Sequence, residues 1–274
     1  MLQRIQDMTT LDRQFKTKRI MSRHFSHVAR YYRHLRTTDL APINFIKENV
    51  IGCELVYAAD IGCGGGRYSY NLLRHLAIHH LICIDASEQM LKANGEYLRS
   101  KKVYNYSLIK ASAERIPLAN SILDCVFAFN AIHHFNILAF LNEATRIVRK
   151  GGKTFVYTRL KAQNATNIWG MYFPLFLEKE TRLYELDELK STIRSITGIG
   201  LESVNEFSFK RRTSLAELVM RARLKHYSTF SLYDKDEFEQ ALRVFENRVS
   251  TQFGDLNDIT WRDEYAMLII RKTT

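Results

Sequence analysis

Between residues 55 and 160, short apolar runs alternate with stretches whose apolar positions recur every three to four residues. LVYAADIG (55–62), HLICIDAS (80–87), VYNYSLIKAS (103–112), LDCVFAFN (123–130) and KTFVYTR (153–159) have the length and composition of strands. GRYSYNLLRHLA, after the first, sets Tyr68, Leu72, Leu73 and Leu76 on one helical face. Ser87 stands where it can cap the next helix, with Gln89 and Met90 in the first turn. A further helix over 136–149 is expected to end at the Gly151-Gly152 turn. Strands alternating with helices of this length predict an α/β domain whose parallel sheet is covered on both faces.

The second half reads differently. NIWGMYFPLFLEKETRLY (167–184) follows neither period, and its Trp169, Tyr172, Phe173 and Phe176 suggest a lid that excludes water or a hydrophobic dimer surface. LDELKSTIRSI (186–196) is a helix, LESVNEFSF (201–209) a sixth strand and ITWRDEYAMLIIRK (259–272) a last one. Helical patterns at 214–226 and 234–250 fall between the last two strands and predict a helical cap inserted there. The expected organisation is an arm over 1–36 and one domain over 37–272, with a lid at 160–184 and a cap at 210–258.

Composition narrows the class. With 274 residues, 46% apolar and 25% charged, the chain can bury one extended core. Its apolar runs fall far short of the roughly 18 residues that cross a bilayer, and its amino terminus lacks the apolar middle of a secretion signal, so a cytoplasmic protein without a membrane partner is expected. Cys53, Cys63, Cys83 and Cys125 are widely spaced, which suggests neither a metal site nor a disulfide framework. The net charge of +11 is concentrated in residues 1–36, where nine Lys or Arg face two Asp. Such an arm either aids solubility or tracks phosphates.

The chemistry centres on Asp60-Ile61-Gly62-Cys63-Gly64-Gly65-Gly66-Arg67, between the first strand and its helix. Glycines there let backbone approach a ligand, and the helix start favours an anionic group. Asp85 ends the second strand, 25 residues beyond Asp60, near the offset at which a carboxylate takes ribose hydroxyls. The spacing GxGxG, rather than GxGxxG, favours S-adenosylmethionine over a nicotinamide dinucleotide.

DIGCGGGRYS, ICIDAS, ASAERIPLANSILDCVFAFNAIHHF and EATRIVRKGGKTFVYT, within residues 25–160, resemble the successive motifs of the class I S-adenosylmethionine-dependent methyltransferases, particularly the group that includes the ubiquinone-biosynthesis C-methyltransferases. The resemblance implies a Rossmann-like, doubly wound, seven-stranded sheet, mostly parallel with an antiparallel last strand. It implies S-adenosylmethionine as cofactor and S-adenosylhomocysteine as product. By position, Asp60 would lie near the cofactor ammonium, and Gly62, Cys63, Gly64 and Gly66 along its methionine part. Asp85 would hold the ribose, with Ala86 and Ser87 flanking the adenine. Ser112, Ala113 and Glu114 would meet the adenine edge, and Asn130 would complete the set. The family usually has Asp at the place of Ser112. FSHVARYYRHLR resembles the family's opening helix, which puts Tyr32 over the methionine end.

On the acceptor side, His133 follows the fourth strand, where an imidazole of ordinary basicity could accept a proton from the acceptor. The adjacent His134 does not make a metal pair, because neighbours on a helix do not share a face. Arg159, beyond the fifth strand, could hold an acceptor carboxylate or phosphate. The reading is in-line methyl transfer to a small organic acceptor. IHHF, the Gln163 region and HYSTF (226–230) also resemble the methyltransferases that esterify carboxymethyl-uridine at the tRNA wobble position, for which the basic arm would bind tRNA. A non-catalytic cofactor-binding subunit is the third reading.

Overall fold

Seven strands form one sheet in the order β3-β2-β1-β4-β5-β7-β6: β1 (Leu55–Ile61), β2 (Ile78–Asp85), β3 (Tyr106–Lys110), β4 (Leu123–Phe129), β5 (Val148–Thr158), β6 (Ile199–Thr213) and β7 (Ile259–Lys272). β1 to β5 pair in parallel, and β7 runs antiparallel to both β5 and β6. This is the doubly wound, Rossmann-like sheet with an antiparallel last strand. The computed structural model describes residues 17, 19–21, 23–25, 28–29, 35–50 and 55–274.

Every residue of the central strand β4 is buried, as a strand covered on both faces requires. Alternate side chains build two cores. Val126 and Ala128 join Ala59, Ile61 and Val156 on one face, while Cys125, Phe127 and Phe129 join Ala58, Phe155 and Tyr157 on the other. The covering helices are α1 (Ala41–Asn49), α2 (Arg67–His75), α3 (Glu88–Ser100) and α4 (Ile137–Ile147). Ser87 Oγ accepts the Met90 N–H at the start of α3, and Asn136 Oδ1 accepts the Ala139 N–H at the start of α4. Side-chain caps of this kind satisfy backbone donors that a helix leaves open.

Two boundaries differ from the sequence expectation. α4 ends at Ile147 and β5 starts at Val148, so the chain enters its strand before Gly151-Gly152. Val148 is already extended and pairs with Leu123. β6 continues to Thr213, because the alternation Phe207, Phe209, Arg211 runs on along β7. Arg211 is accommodated at that position by Asp39 and Asp263, 2.6 to 3.1 Å from its guanidinium.

After β5 come α5 (Lys161–Ala165), α6 (Ile168–Tyr172), α7 (Phe176–Lys179) and α8 (Leu186–Arg194), and between β6 and β7 lie α9 (Leu215–Arg223), a 3₁₀ turn (Ser228–Leu232) and α10 (Lys235–Gln252). The aromatic segment belongs with this cap. Trp169 stacks on Phe245 with ring centroids 4.9 Å apart, and Phe173 and Phe176 meet Phe230 edge-on or tilted at 5.0 and 5.3 Å. Trp169, Phe173 and Phe176 are thus buried in a third core, which accounts for the aromatic residues without a dimer surface. The amino-terminal arm reaches the cap: His24 Nδ1 lies 3.0 Å from Ser231 Oγ, and Phe25 packs edge-on against His134 at 5.0 Å.

Candidate active site

The glycine turn is shaped by close approach. Gly62 has φ +70, and a Cβ there would stand 2.6 Å from the Ala131 Cβ. The Gly62 and Cys63 N–H groups both donate to the Ile84 carbonyl, at 2.8 and 3.1 Å, which ties the turn to the end of β2. A Cβ on Gly65 would meet nothing within 4 Å, so the turn presents open space at that point.

Two carboxylates flank it, Asp60 buried and Asp85 half-buried. Asp85 Oδ2 accepts the Gly64 N–H at 2.9 Å and Oδ1 accepts the Ser87 N–H at 2.8 Å. Burial raises the Asp85 pKa, and these backbone donors partly offset the rise. Asp60 is 1% exposed and accepts the Ser69 hydroxyl at 2.7 Å. Burial pushes its carboxyl up to about 7, with Ser69 opposing and the nearby Asp85 charge adding.

The turn and both carboxylates line a cavity of about 900 Å³. Ala86, Ser87, Ser112, Ala113, Glu114 and Asn130 line it as well, as do His133 and Arg159. Gly66 is not part of the lining; it starts α2 at φ +80. Tyr32 lies outside the described residues. Ser112 Oγ and Glu114 Oε2 are hydrogen-bonded to each other, and Glu114 Oε1 accepts the Asn136 N–H at 2.9 Å. Among the described residues, no three His, Cys, Asp or Glu side chains converge on a metal position.

His133 sits in the 3₁₀ turn Ile132–His134, and its buried Nδ1 has no partner among the described residues. Burial, reinforced by the Arg182 guanidinium, lowers its pKa to about 3. The ring is therefore neutral and able to accept a hydrogen bond, but burial removes the near-neutral basicity on which a proton-accepting role was expected. Arg159 is already engaged. Its Nη2 donates to Asp263 Oδ1 and to the Tyr265 hydroxyl, both at 2.9 Å, and its Nη1 donates to the Tyr227 hydroxyl at 3.1 Å. Asp263 balances its charge, and the buried Nε has no partner among the described residues.

Sequence reasoning missed the acid-base pair opposite. Glu180 and Arg182 line the same cavity and are ion-paired, with Nε to Oε1 at 2.8 Å. Arg182 Nη2 also donates to Ser228 Oγ at 3.1 Å, and the Thr229 hydroxyl donates to Glu180. Burial raises the Glu180 pKa, but Arg182 outweighs it and holds the carboxyl below its ordinary value. The available signal was a pair of charges, two residues apart, closing an aromatic stretch.

Residues 59–156 match the family model described as a methyltransferase domain. An uncharacterized chloroplastic methyltransferase of Arabidopsis thaliana is 27% identical over 40% of this chain and 32% of its own. A protein of Dictyostelium discoideum described as a methyltransferase is 23% identical over 49% of this chain and 48% of its own. The match thus spans between about a third and a half of these curated relatives. Among solved structures, a protein from Anabaena variabilis described as a methyltransferase of an antibiotic biosynthesis pathway superposes with a TM-score of 0.64 at 22% identity, over 87% of this chain and 99% of that one. Residues 59–156 thus resemble a methyltransferase domain, and the sheet that carries them has the class I methyltransferase fold.

Proposed function

We propose that the protein transfers a methyl group from S-adenosylmethionine to a small organic acceptor. The observation that carries this reading is the pair of carboxylates, buried Asp60 and half-buried Asp85, on either side of an open glycine turn that lines a 900 Å³ cavity. That volume is near the upper end of the roughly 300 to 1,000 Å³ of ligand sites, so there is room for an acceptor beside a cofactor. The residues suit the cofactor chemically. A carboxylate held as high as about 7 lacks compensation, and an ammonium group is the partner that would supply it. Asp85 uses one lone pair on each oxygen for backbone N–H groups, which leaves capacity for two ribose hydroxyls.

When bound, S-adenosylmethionine supplies a methyl on a sulfonium, a leaving group that needs no acid. What remains for the protein is orientation and exclusion of water, which can lower a barrier by about 7 to 11 kcal/mol. Neutral His133 and the Glu180–Arg182 pair present polar groups to the acceptor end of the cavity. His24 to Ser231 and Phe25 to His134 join arm, cap and 3₁₀ turn over it. An enclosure built this way favours a compact acceptor. Calorimetry with S-adenosylhomocysteine should show one site per chain, and labelled S-adenosylmethionine should pass its methyl to a component of a small-metabolite fraction. Absence of S-adenosylhomocysteine binding, or preference for a nicotinamide dinucleotide, would overturn the reading.

A further inference from the structure

Beside the reaction cavity lies a second of about 220 Å³. The two share wall residues, among them Arg67, Tyr68, Tyr227 and Tyr265, and so adjoin one another. The charge of the smaller wall is lopsided. Asp39 and Asp263 face Arg36, Arg67, Lys210, Arg211, Arg212 and Arg221.

Three of these cations are matched by carboxylates. Arg211 lays both Nη atoms on Asp39, at 2.7 and 2.6 Å, and its Nε on Asp263 at 3.1 Å, while Asp263 also serves Arg159. Arg212 pairs with Asp258, and Arg221 with Glu217 at 2.8 Å. Arg67 and Lys210 have no carboxylate within ion-pair distance among the described residues. Arg67 is only 8% exposed, yet among the described residues its guanidinium reaches only neutral groups: the Thr37 carbonyl, Thr38 Oγ1 at 3.4 Å and the Tyr68 ring at 4.8 Å. A buried ion without a counter-charge is unfavourable. An anion entering the recess would remove that penalty.

Resting on the methyl-transfer reading, we propose that the smaller cavity receives a phosphate or diphosphate carried by the acceptor. A phosphate monoester has a charge of about −1.5 to −2 at neutral pH, which balances Arg67 and Lys210 together. The planar guanidinium suits bidentate contact with phosphate oxygens, and exposed Lys210 adds a point charge at the wall. The basic groups surround a recess rather than follow a track over the surface, which favours a small phosphorylated molecule over a nucleic-acid backbone.

The test is calorimetric titration of the full chain, saturated with S-adenosylhomocysteine so that the cofactor end is filled, with inorganic phosphate, pyrophosphate and acetate. Phosphate and pyrophosphate should bind and acetate should not. Lys210→Gln should weaken pyrophosphate binding about tenfold with Tm unchanged, and Arg67→Gln should weaken it by a similar factor, since a charge-assisted hydrogen bond is of that order. No phosphate binding to the saturated wild type, equal affinity in wild type and Lys210→Gln, or a single-stranded RNA that displaces pyrophosphate at lower concentration than pyrophosphate itself would each overturn the proposal. Failure of S-adenosylhomocysteine to bind would fall on the methyl-transfer reading instead, and phosphate titration of the unliganded chain would still report on the recess.

Discussion

Asp60 makes cofactor binding depend on pH in a way that can be worked out in advance. Its carboxyl, pushed up to about 7 by burial, is half protonated near neutrality in the unliganded protein, whereas an ammonium ligand favours the ionised form. Affinity for S-adenosylhomocysteine should therefore strengthen as pH rises from 5.5 to 7.5 and level off above. Protonating the group at pH 5.5, about 1.5 units below its pKa, opposes binding by about 2 kcal/mol, or roughly 30-fold in Kd. Folding stability runs the other way. An Asp whose folded pKa is raised stabilises the fold below its unfolded value of 3.8, and that contribution is lost as pH rises to about 7. The Tm of the unliganded chain should thus lose this contribution between pH 4 and 7 while the gain on adding ligand grows. Calorimetry at pH 5.5, 6.5 and 7.5, in two buffers of different ionisation enthalpy, should reveal proton release on binding at the lower pH values. His133, with a pKa near 3, stays neutral in the folded chain and adds no slope to ligand binding in this window. Its effect on stability opposes that of Asp60, because the unfolded imidazole takes up a proton below its ordinary 6.5 and the fold gains stability as pH rises towards that value. Asp60→Asn should bind more weakly at pH 7.5 and show no slope. A flat profile in the wild type, or a slope that survives in Asp60→Asn, would refute the assignment of Asp60 as the partner of a cationic group.

Asp85→Ala should weaken S-adenosylhomocysteine binding by about 1.5 to 3 kcal/mol, the range for hydrogen bonds to a charged group, as read by calorimetry. Gly62→Ala forces a side chain into the left-handed region against Ala131 and should lower stability by about 1 to 3 kcal/mol in urea denaturation; Gly65→Ala, with open space before it, should keep the fold and lose ligand affinity instead. Arg159→Met leaves Asp263 with one cation fewer in a buried network and should destabilise the chain by about 3 to 5 kcal/mol; a rise in acceptor KM at unchanged stability would restore it as an acceptor anchor. The pH-rate profile of methyl transfer should show no limb near 6.5 that disappears in His133→Gln, and such a limb would return His133 to the role of general base.

The sheet was legible because its signals are local. The fully apolar run of β4, the Ser87 cap and the glycine turn each declare themselves within about ten residues, and the Asp60 to Asp85 spacing follows once β1 and β2 are paired. What escaped depends on partners distant in sequence. Arg159 looked available because Asp263 and Tyr265 lie more than a hundred residues away. Arg211 fell outside the expected sixth strand, which stopped at residue 209, because Asp39, which balances it, comes from before β1. Glu180 and Arg182 were not singled out because the Thr229 and Ser228 hydroxyls that bond them come from some fifty residues later in the chain. Trp169 and Phe173 looked like a lid because the Phe230 and Phe245 rings that bury them arrive only with the cap.

The contact between His24 and Ser231 joins residues 207 positions apart, and the Arg182 contact with Met21 joins residues 161 apart. Contacts of such high sequence separation carry a late place in folding, because loop entropy opposes them until the intervening chain is ordered. On the ribosome, a nascent chain can pair β1 with β2 and form the glycine turn well before Ser231 has been synthesised. The roof over the cavity must wait for the cap, although the arm that helps to make it is translated before the sheet. The parallel sheet and its glycine turn can therefore mature with the cavity still open on one side, and enclosure becomes the last step by which the chain acquires a working interior.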